Sequence, residues 1–379
     1  MGNARGIVGV SFTTTKSFDY AKNWCHSAAD STVNAESASL GAGQLSQSGS
    51  SDHHPSSRLG GTVPSALPAR TNYNLRGHRA EILFVRWNEP FQKLATCDEN
   101  GVIFIWIQYE GRWSIELIND RNTRVTDIAW SHDGRMALIC YLDGFVLVGS
   151  VSGQRYWSSM LNLADTTITC GVWSPTDQQV LFGTSNGHLL VISVHGTFVT
   201  QVAVQDGLAI TGLAWSCAKF HSSARGGNVS SCSNGSLDSS TMGDQQQQQQ
   251  HRLAVSFLDG TVFVMRNYDD LDPKIISTDC SGVRVDWSSD GQVLAVGGHR
   301  VLRSEHSING FTYSNVLNLY SRTVFEQHRP PPTFPIPPAR SEVLSYDAQP
   351  LSAITWGNAD RRLYIACGQV LYVGWVFQK

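Results

Sequence analysis

Apolar and polar positions alternate in short runs along most of this chain, and the runs come in sets. In 76–113, RGHRAEILFVRWNEPFQKLATCDENGVIFIWIQYEGRW, one apolar run closes on Trp87, a second spans Lys93 to Thr96, and a third spans Val102 to Ile107 and carries Trp106. Short alternating runs broken by turn residues predict β-strands. The apolar run ending in Trp returns as DIAWS at Trp130, CGVWS at Trp173, GLAWS at Trp215, VDWSS at Trp287 and AITWG at Trp356. The first four tryptophans are 43, 43 and 42 residues apart, the period of a four-stranded propeller blade, about 40–45 residues. The pairs Asn100-Gly101, Asp143-Gly144, Asn186-Gly187 and Asp259-Gly260 each separate two apolar runs. Such pairs take up positive φ readily and predict two-residue hairpins. Together the pattern predicts an all-β propeller with six complete blades over 71–379.

Two spacings break the period, 72 residues from Trp215 to Trp287 and 69 from Trp287 to Trp356. Insertions explain both. One, at 218–250, is rich in Ser, Gly and Asn and ends in Gln245–Gln250; the other, at 300–345, is concentrated in 300–310 and in the proline run RPPPTFPIPP at 329–338. Both are expected to be disordered, and loop closure entropy grows slowly enough with length to permit them. The Ser-, Ala- and Gly-rich stretch 15–70 holds too few apolar side chains to offset ordering entropy and is expected to be a disordered loop. Residues 6–14, GIVGVSFTT, form a strand-like run with no partner run before it, the mark of a partial blade. A propeller closes to remove its sheet edges, so a seven-bladed ring is expected, with its first strands outside this chain.

Composition narrows the function. Charged residues are 16% of the chain and the net charge is −3, so nothing builds bulk attraction to nucleic acid or to a membrane surface. No apolar stretch approaches the roughly 18 residues that span a bilayer. The eight cysteines form no CxxC pair, which points to a reducing, cytoplasmic compartment with neither disulfides nor a zinc site. No catalytic constellation or cofactor motif emerges, and an enzyme is not expected. His53-His54, the acidic cluster Asp269-Asp270-Leu-Asp272 and the His132-Asp133-Gly134 turn are read as solvated loop or turn residues rather than metal ligands.

The unit from Gly77-His78 to Trp106 resembles a WD40 repeat. By that resemblance His78, Thr96, Asn100 and Trp106 are the structural group that pins the blade, His78 acting as a hydrogen-bonder rather than a general base. Longer stretches are similar to the WD40 region of the tubby-like family. Among them are YNLRGHRAEILFVRWNEPFQKLATCDENGVIFIWIQYEGRWSIELIND, WSHDGRMALICYLDGFVLVGSVSGQRYWSS and WGNADRRLYIACGQVLYV. The resemblance implies the substrate-recognition part of an elongin–cullin–SOCS-box ubiquitin ligase. Elongin B/C and cullin would be reached only through a SOCS box, which, like the tubby barrel, is not in this sequence. A second reading is a WD40 adaptor in intraflagellar or vesicular transport, whose degenerate propellers look alike.

Candidate partner contacts are the polar and aromatic residues flanking the strands, since Tyr, Trp and Arg dominate interface energetics. In 76–113 they are Asn88, Glu89, Tyr109 and Arg112, and Ser152–Trp157 offers a further loop, in which Trp157 is expected to pack between blades. In the proline run, Arg329, Pro332, Pro335, Pro338 and Arg340 match SH3-ligand spacing in both orientations, as polyproline II segments do.

Overall fold

Each of the six runs that close on Trp87, Trp130, Trp173, Trp215, Trp287 and Trp356 is the innermost strand of an antiparallel sheet. The computed structural model describes residues 1–11, 72–220, 251–303, 310–326, 336–357, 362–368 and 370–375. The first blade comprises Ile82–Asn88, Lys93–Asp98, Val102–Tyr109 and Arg112–Asp120, paired in that order. The second is Val125–Trp130, Met136–Tyr141, Phe145–Ser150 and Arg155–Met160. The third is Ile168–Trp173, Gln179–Thr184, His188–Ser193 and Phe198–Ala203. The fourth is Ile210–Trp215, Leu253–Phe257, Thr261–Met265 and Lys274–Ser277. The fifth is Ser281–Trp287, Val293–Arg303, Phe311–Ser321 and Arg340–Asp347. The sixth, Leu351–Trp356, Arg362–Cys367 and Val370–Trp375, has three strands among the described residues rather than four. Ile7–Ser11 pairs with Asn72–Arg76 in a two-stranded sheet beside the first blade. That placement fits the outer half of a further blade.

The inner strands are neighbours around the axis, and each bulges near its start, between Ile82 and Phe84, Val125 and Asp127, Ile168 and Cys170, Ile210 and Gly212, Ser281 and Arg284, and Leu351 and Ala353. A bulge bends and twists a strand locally, and its repetition gives every blade the same entry. The core lies between sheets. Alternate residues of one sheet pack on those of the next, as in the Leu138, Cys140, Val146 and Val148 set against Trp173, Val180, Phe182 and Ile192. One such apolar cluster lies in each of the interfaces from the half-blade to the sixth blade.

Two expectations need correction. The span 300–345 is not one disordered insertion. Strands run through Arg303, from Phe311 to Ser321 and from Arg340, and Thr323–Glu326 is a helical turn that seats Phe325 against Trp287. Cross-strand pairing simply continues past the usual blade edge, from Arg300↔Ser314 to Arg303↔Phe311. The bulk of 15–70 and of 218–250, with 304–309 and 327–335, falls outside the described residues.

The Asn-Gly and Asp-Gly turns are also not two-residue hairpins. Only the glycine has positive φ, and its N–H closes the turn on the carbonyl three residues earlier, as in Gly101 to Asp98 and Gly187 to Thr184. A Cβ on Gly101 would stand 2.0 Å from the Thr123 carbonyl oxygen, so glycine is required there for space as well as for conformation. The two-residue turn with both centres at positive φ is Glu110-Gly111, which joins Tyr109 to Arg112.

Candidate functional site: a groove between the first two blades

The first blade is pinned by a buried polar relay. His78 Nδ1 lies 2.9 Å from Asp98 Oδ2 and its Nε2 lies 2.7 Å from Thr96 Oγ1. Trp106 Nε1 donates to the same Thr96 hydroxyl at 2.8 Å. Asp98 accepts a further bond, from the Val102 N–H, at 3.1 Å. The carboxylate of the relay is therefore Asp98, and Asn100 is corrected to an exposed turn residue. The first residue of the turn still belongs to the strand and points inward, whereas the third sits at the solvent-facing tip. His78, Thr96 and Trp106 are where the sequence placed them.

At the same register the second blade differs in kind. Its counterparts of Thr96 and Asp98 are Ile139 and Tyr141, and the cross-strand pair Leu94↔Trp106 becomes Ala137↔Gly149. The third, fourth and fifth blades fill that pair with Val180↔Ile192, Leu253↔Met265 and Leu294↔Tyr320. The sixth has Leu363↔Gly374. With a methyl group and a hydrogen where the third, fourth and fifth carry large apolar side chains, the interface between the first and second blades is left open as a groove of about 580 Å³. Ile105 and Leu117 form one wall and Ala137, Leu147 and Gly149 the other, with Trp130 also lining it. At one mouth Arg121 lies 4.2 Å from the Phe145 ring centroid and pairs with Asp143. At the other mouth Arg155 is exposed, with no ion-pair partner among the described residues. A groove of this size, apolar along its length and cationic at its ends, has the dimensions of a ligand site.

Of the sequence candidates, the Ser152–Trp157 loop lines it, through Gly153 and Arg155, and the other described ones do not. Tyr109 is 68% exposed and Arg112 is exposed, both on the Glu110-Gly111 hairpin. Glu89 is exposed at the first inner turn, but Asn88 beside it is fully buried. Its amide donates to the Gly134 carbonyl at 2.7 Å and its Oδ1 accepts from the Phe91 N–H. Asn88 is thus a turn cap tying the first blade to the second, not a partner contact. Trp157 packs at the interface of the second and third blades and donates to the Val194 carbonyl. Arg340 is exposed and bonded to Glu342, and Pro338 is half-buried. Arg329, Pro332 and Pro335, and with them most of the SH3-type motif, lie outside the described residues. Asp270 binds the Arg266 guanidinium, whose bonds hold its carboxyl down at about 2.

Two recurrent devices escaped the sequence reading. The serine after four of the six inner Trp residues is buried and caps its turn: Ser131 accepts from Met136 N–H, Ser174 from Gln179, Ser216 from Arg252 and Ser288 from Val293. The Trp-Ser repeat was visible, though its task was not. The indoles also stitch blade to blade. Trp130 Nε1 donates to the Arg86 carbonyl, Trp173 to Ala129 and Trp356 to Asp286, at 3.1–3.2 Å. Trp87, with no inner strand before it among the described residues, stays 39% exposed.

The inner turns are linked as well. His132 Nδ1 lies 2.7 Å from Asp177 Oδ1 in the third blade's turn, and Asp177 also accepts the His132 and Asp133 N–H groups. Burial works against charge on His132, but the bonds to Asp177 and to Cys217 outweigh it and hold the ring up at about 9. Burial likewise opposes charge on Asp177, yet those bonds keep its carboxyl below the usual range.

A family model described as the WDR35/TULP4 N-terminal β-propeller matches residues 50–376. Tubby-related protein 4 of Homo sapiens is 42% identical over 323 residues, 81% of this chain and 19% of that protein. WD repeat-containing protein 35 of Mus musculus is 33% identical over 246 residues, 63% of this chain and 19% of that protein. The chain spans about a fifth of the length of these curated relatives. Among solved structures, the β-propeller domain of Cps50 (Swd1) from Myceliophteria thermophila has a TM-score of 0.53 at 13% identity, covering 80% of this chain and 86% of that one. The C-terminal WD40 domain of Sif2 gives 0.51 at 14%, covering 80% and 85%. These likenesses show the fold, a WD40-type propeller. The chain belongs to the WDR35/TULP4 N-terminal β-propeller family.

Proposed function

We propose that this propeller is the recognition module by which a longer protein selects a protein partner, and that the groove between the first and second blades receives it. One observation carries the reading, the Ala137↔Gly149 pair at the register where three other blades bury large side chains. The space matches a large apolar side chain supplied from outside. Arg155 at its mouth, with no ion-pair partner among the described residues, favours a carboxylate next to that side chain in the partner. The occupant is thus an extended peptide with a bulky apolar residue flanked by Asp or Glu. Ala137→Leu fills the groove from within. It is expected to change stability by less than about 1 kcal/mol and to weaken partner binding about tenfold or more, measured by titration and by thermal melts.

The finer reading is substrate recognition for an elongin–cullin–SOCS-box ubiquitin ligase, supported by the extent of the similarity to Tubby-related protein 4. Affinity purification of the full-length gene product tests it, with elongin B/C and a cullin expected in the eluate. The second reading, an adaptor of intraflagellar or vesicular transport, draws on the family model that WD repeat-containing protein 35 shares. Transport subunits in that eluate, with elongin and cullin missing, replace the first reading with the second.

A further inference from the structure

Cys217 follows the inner strand of the fourth blade, and its Sγ lies 3.2 Å from His132 Nε2. The other ring nitrogen of His132 faces Asp177 at 2.7 Å. A carboxylate, an imidazole and a sulfur are thereby lined up by residues 45 and 85 positions apart, from three blades. Asp177 is itself fixed by two backbone N–H groups, so the ring cannot turn away without breaking several bonds. Orientation of an imidazole by a carboxylate, with its free nitrogen on a thiol, is the arrangement that activates cysteine nucleophiles. The other described cysteines sit differently. Burial pushes the thiols of Cys97, Cys170 and Cys367 up to about 12 and that of Cys280 to about 11, and holds that of Cys140 well above its ordinary value. None of these five has an imidazole against it in the described residues.

We infer that Cys217 is a reactive thiol, activated by His132 and Asp177, and a modification site for soft electrophiles and hydroperoxides. The charged groups around it are otherwise engaged. Lys219 Nζ is bonded to Asp286, Thr355 and the Trp356 carbonyl, Asp133 to the Ser131 hydroxyl, and His251 to the Ser216 carbonyl. With a hydroperoxide, sulfur attacks the terminal oxygen, an S–O bond forms and the O–O bond breaks. Sulfur is oxidised to the sulfenic acid and the peroxide is reduced to an alkoxide, which takes the proton held on the His132 ring and leaves as the alcohol. Cys217 is only 9% exposed, so an added oxygen crowds His132 and loosens the link from the second blade to the fourth.

Native alkylation with iodoacetamide at pH 7.0, resolved by peptide mass mapping, tests the inference. Cys217 is expected to label at least a hundredfold faster than Cys97, Cys140, Cys170, Cys280 and Cys367, and H132Q to slow it about tenfold or more. Hydrogen peroxide followed by a sulfenic-acid trap is expected to mark the same residue. Cys25 and Cys232 are counted on their own peptides. Labelling of Cys217 only after denaturation, or at the same rate in H132Q, overturns the inference. Should H132Q unfold, seen as labelling of the five buried cysteines, D177N decides: it must slow Cys217 while leaving those five protected.

Discussion

The first and second blades run through the same strands, turns and register, yet one is filled and the other is left open. In the first, Leu94 and Trp106 fill the face toward the half-blade and His78, Thr96 and Asp98 lock it with polar bonds. In the second, Ile139 and Tyr141 replace the relay with apolar surface, and Ala137 and Gly149 leave a groove. The backbone accepts both because sheet pairing and the bulged inner strand carry the architecture. Side chains at equivalent positions are then free to lock one blade with polar bonds and to leave a groove in the next.

The largest test of that contrast is Asp98→Ala. It strands His78 Nδ1 and the Val102 N–H inside the protein, and a loss of about 3–5 kcal/mol is expected from denaturant unfolding. Tyr141→Phe at the matching site removes only a 3.4 Å contact to Asn119 and is expected to cost under about 1 kcal/mol. Similar losses for the two would erase the distinction. Gly101→Ala combines positive φ with a clash at 2.0 Å and is expected to cost about 3 kcal/mol. Gly144→Ala, with its nearest atom at 2.8 Å, is expected to cost less.

The smallest effect is one of pH. His132 is held above its ordinary value, so its contribution is complete below about 6.5 and is lost as pH rises through about 9. The melting-temperature gap between the wild type and H132Q is expected to narrow over that window. A gap that stays constant removes the titration from the account.

Much of this was legible in the sequence because its signals are local. The inner strands follow from the Trp spacing and the turn positions from their glycines, while the relay members His78, Thr96 and Trp106 follow from the resemblance to a WD40 repeat. What was misread depended on groups far apart in sequence. Asn88 beside Pro90 looks like an exposed loop, and only the second blade's turn, 46 residues on, shows that its amide is buried. Asn100 was assigned to the relay by the resemblance, while the side-chain direction set by the strand puts Asp98 there. The fifth blade's long strands were hidden by proline and polar composition, although pairing across the strands sustains them. The groove itself is a pair of small residues, which carries meaning only once the registers of all blades are aligned.

The indole stitch has a consequence for how the propeller comes apart. A ring of blades behaves as a linear array of units with nearest-neighbour coupling, and each indole-to-carbonyl bond is one such coupling. Trp215 and Trp287 lack it, their Nε1 atoms being buried without a hydrogen-bond partner. The two seams that flank the fourth blade are therefore the weakest in this respect. The same blade carries the 217–219 strap, which reaches His132 in the second blade and, through Lys219, the fifth and sixth. Cohesion has been moved from the seams to a tether across the turns. Release of Cys217 thus lowers the opening free energy of the fourth blade before that of any other.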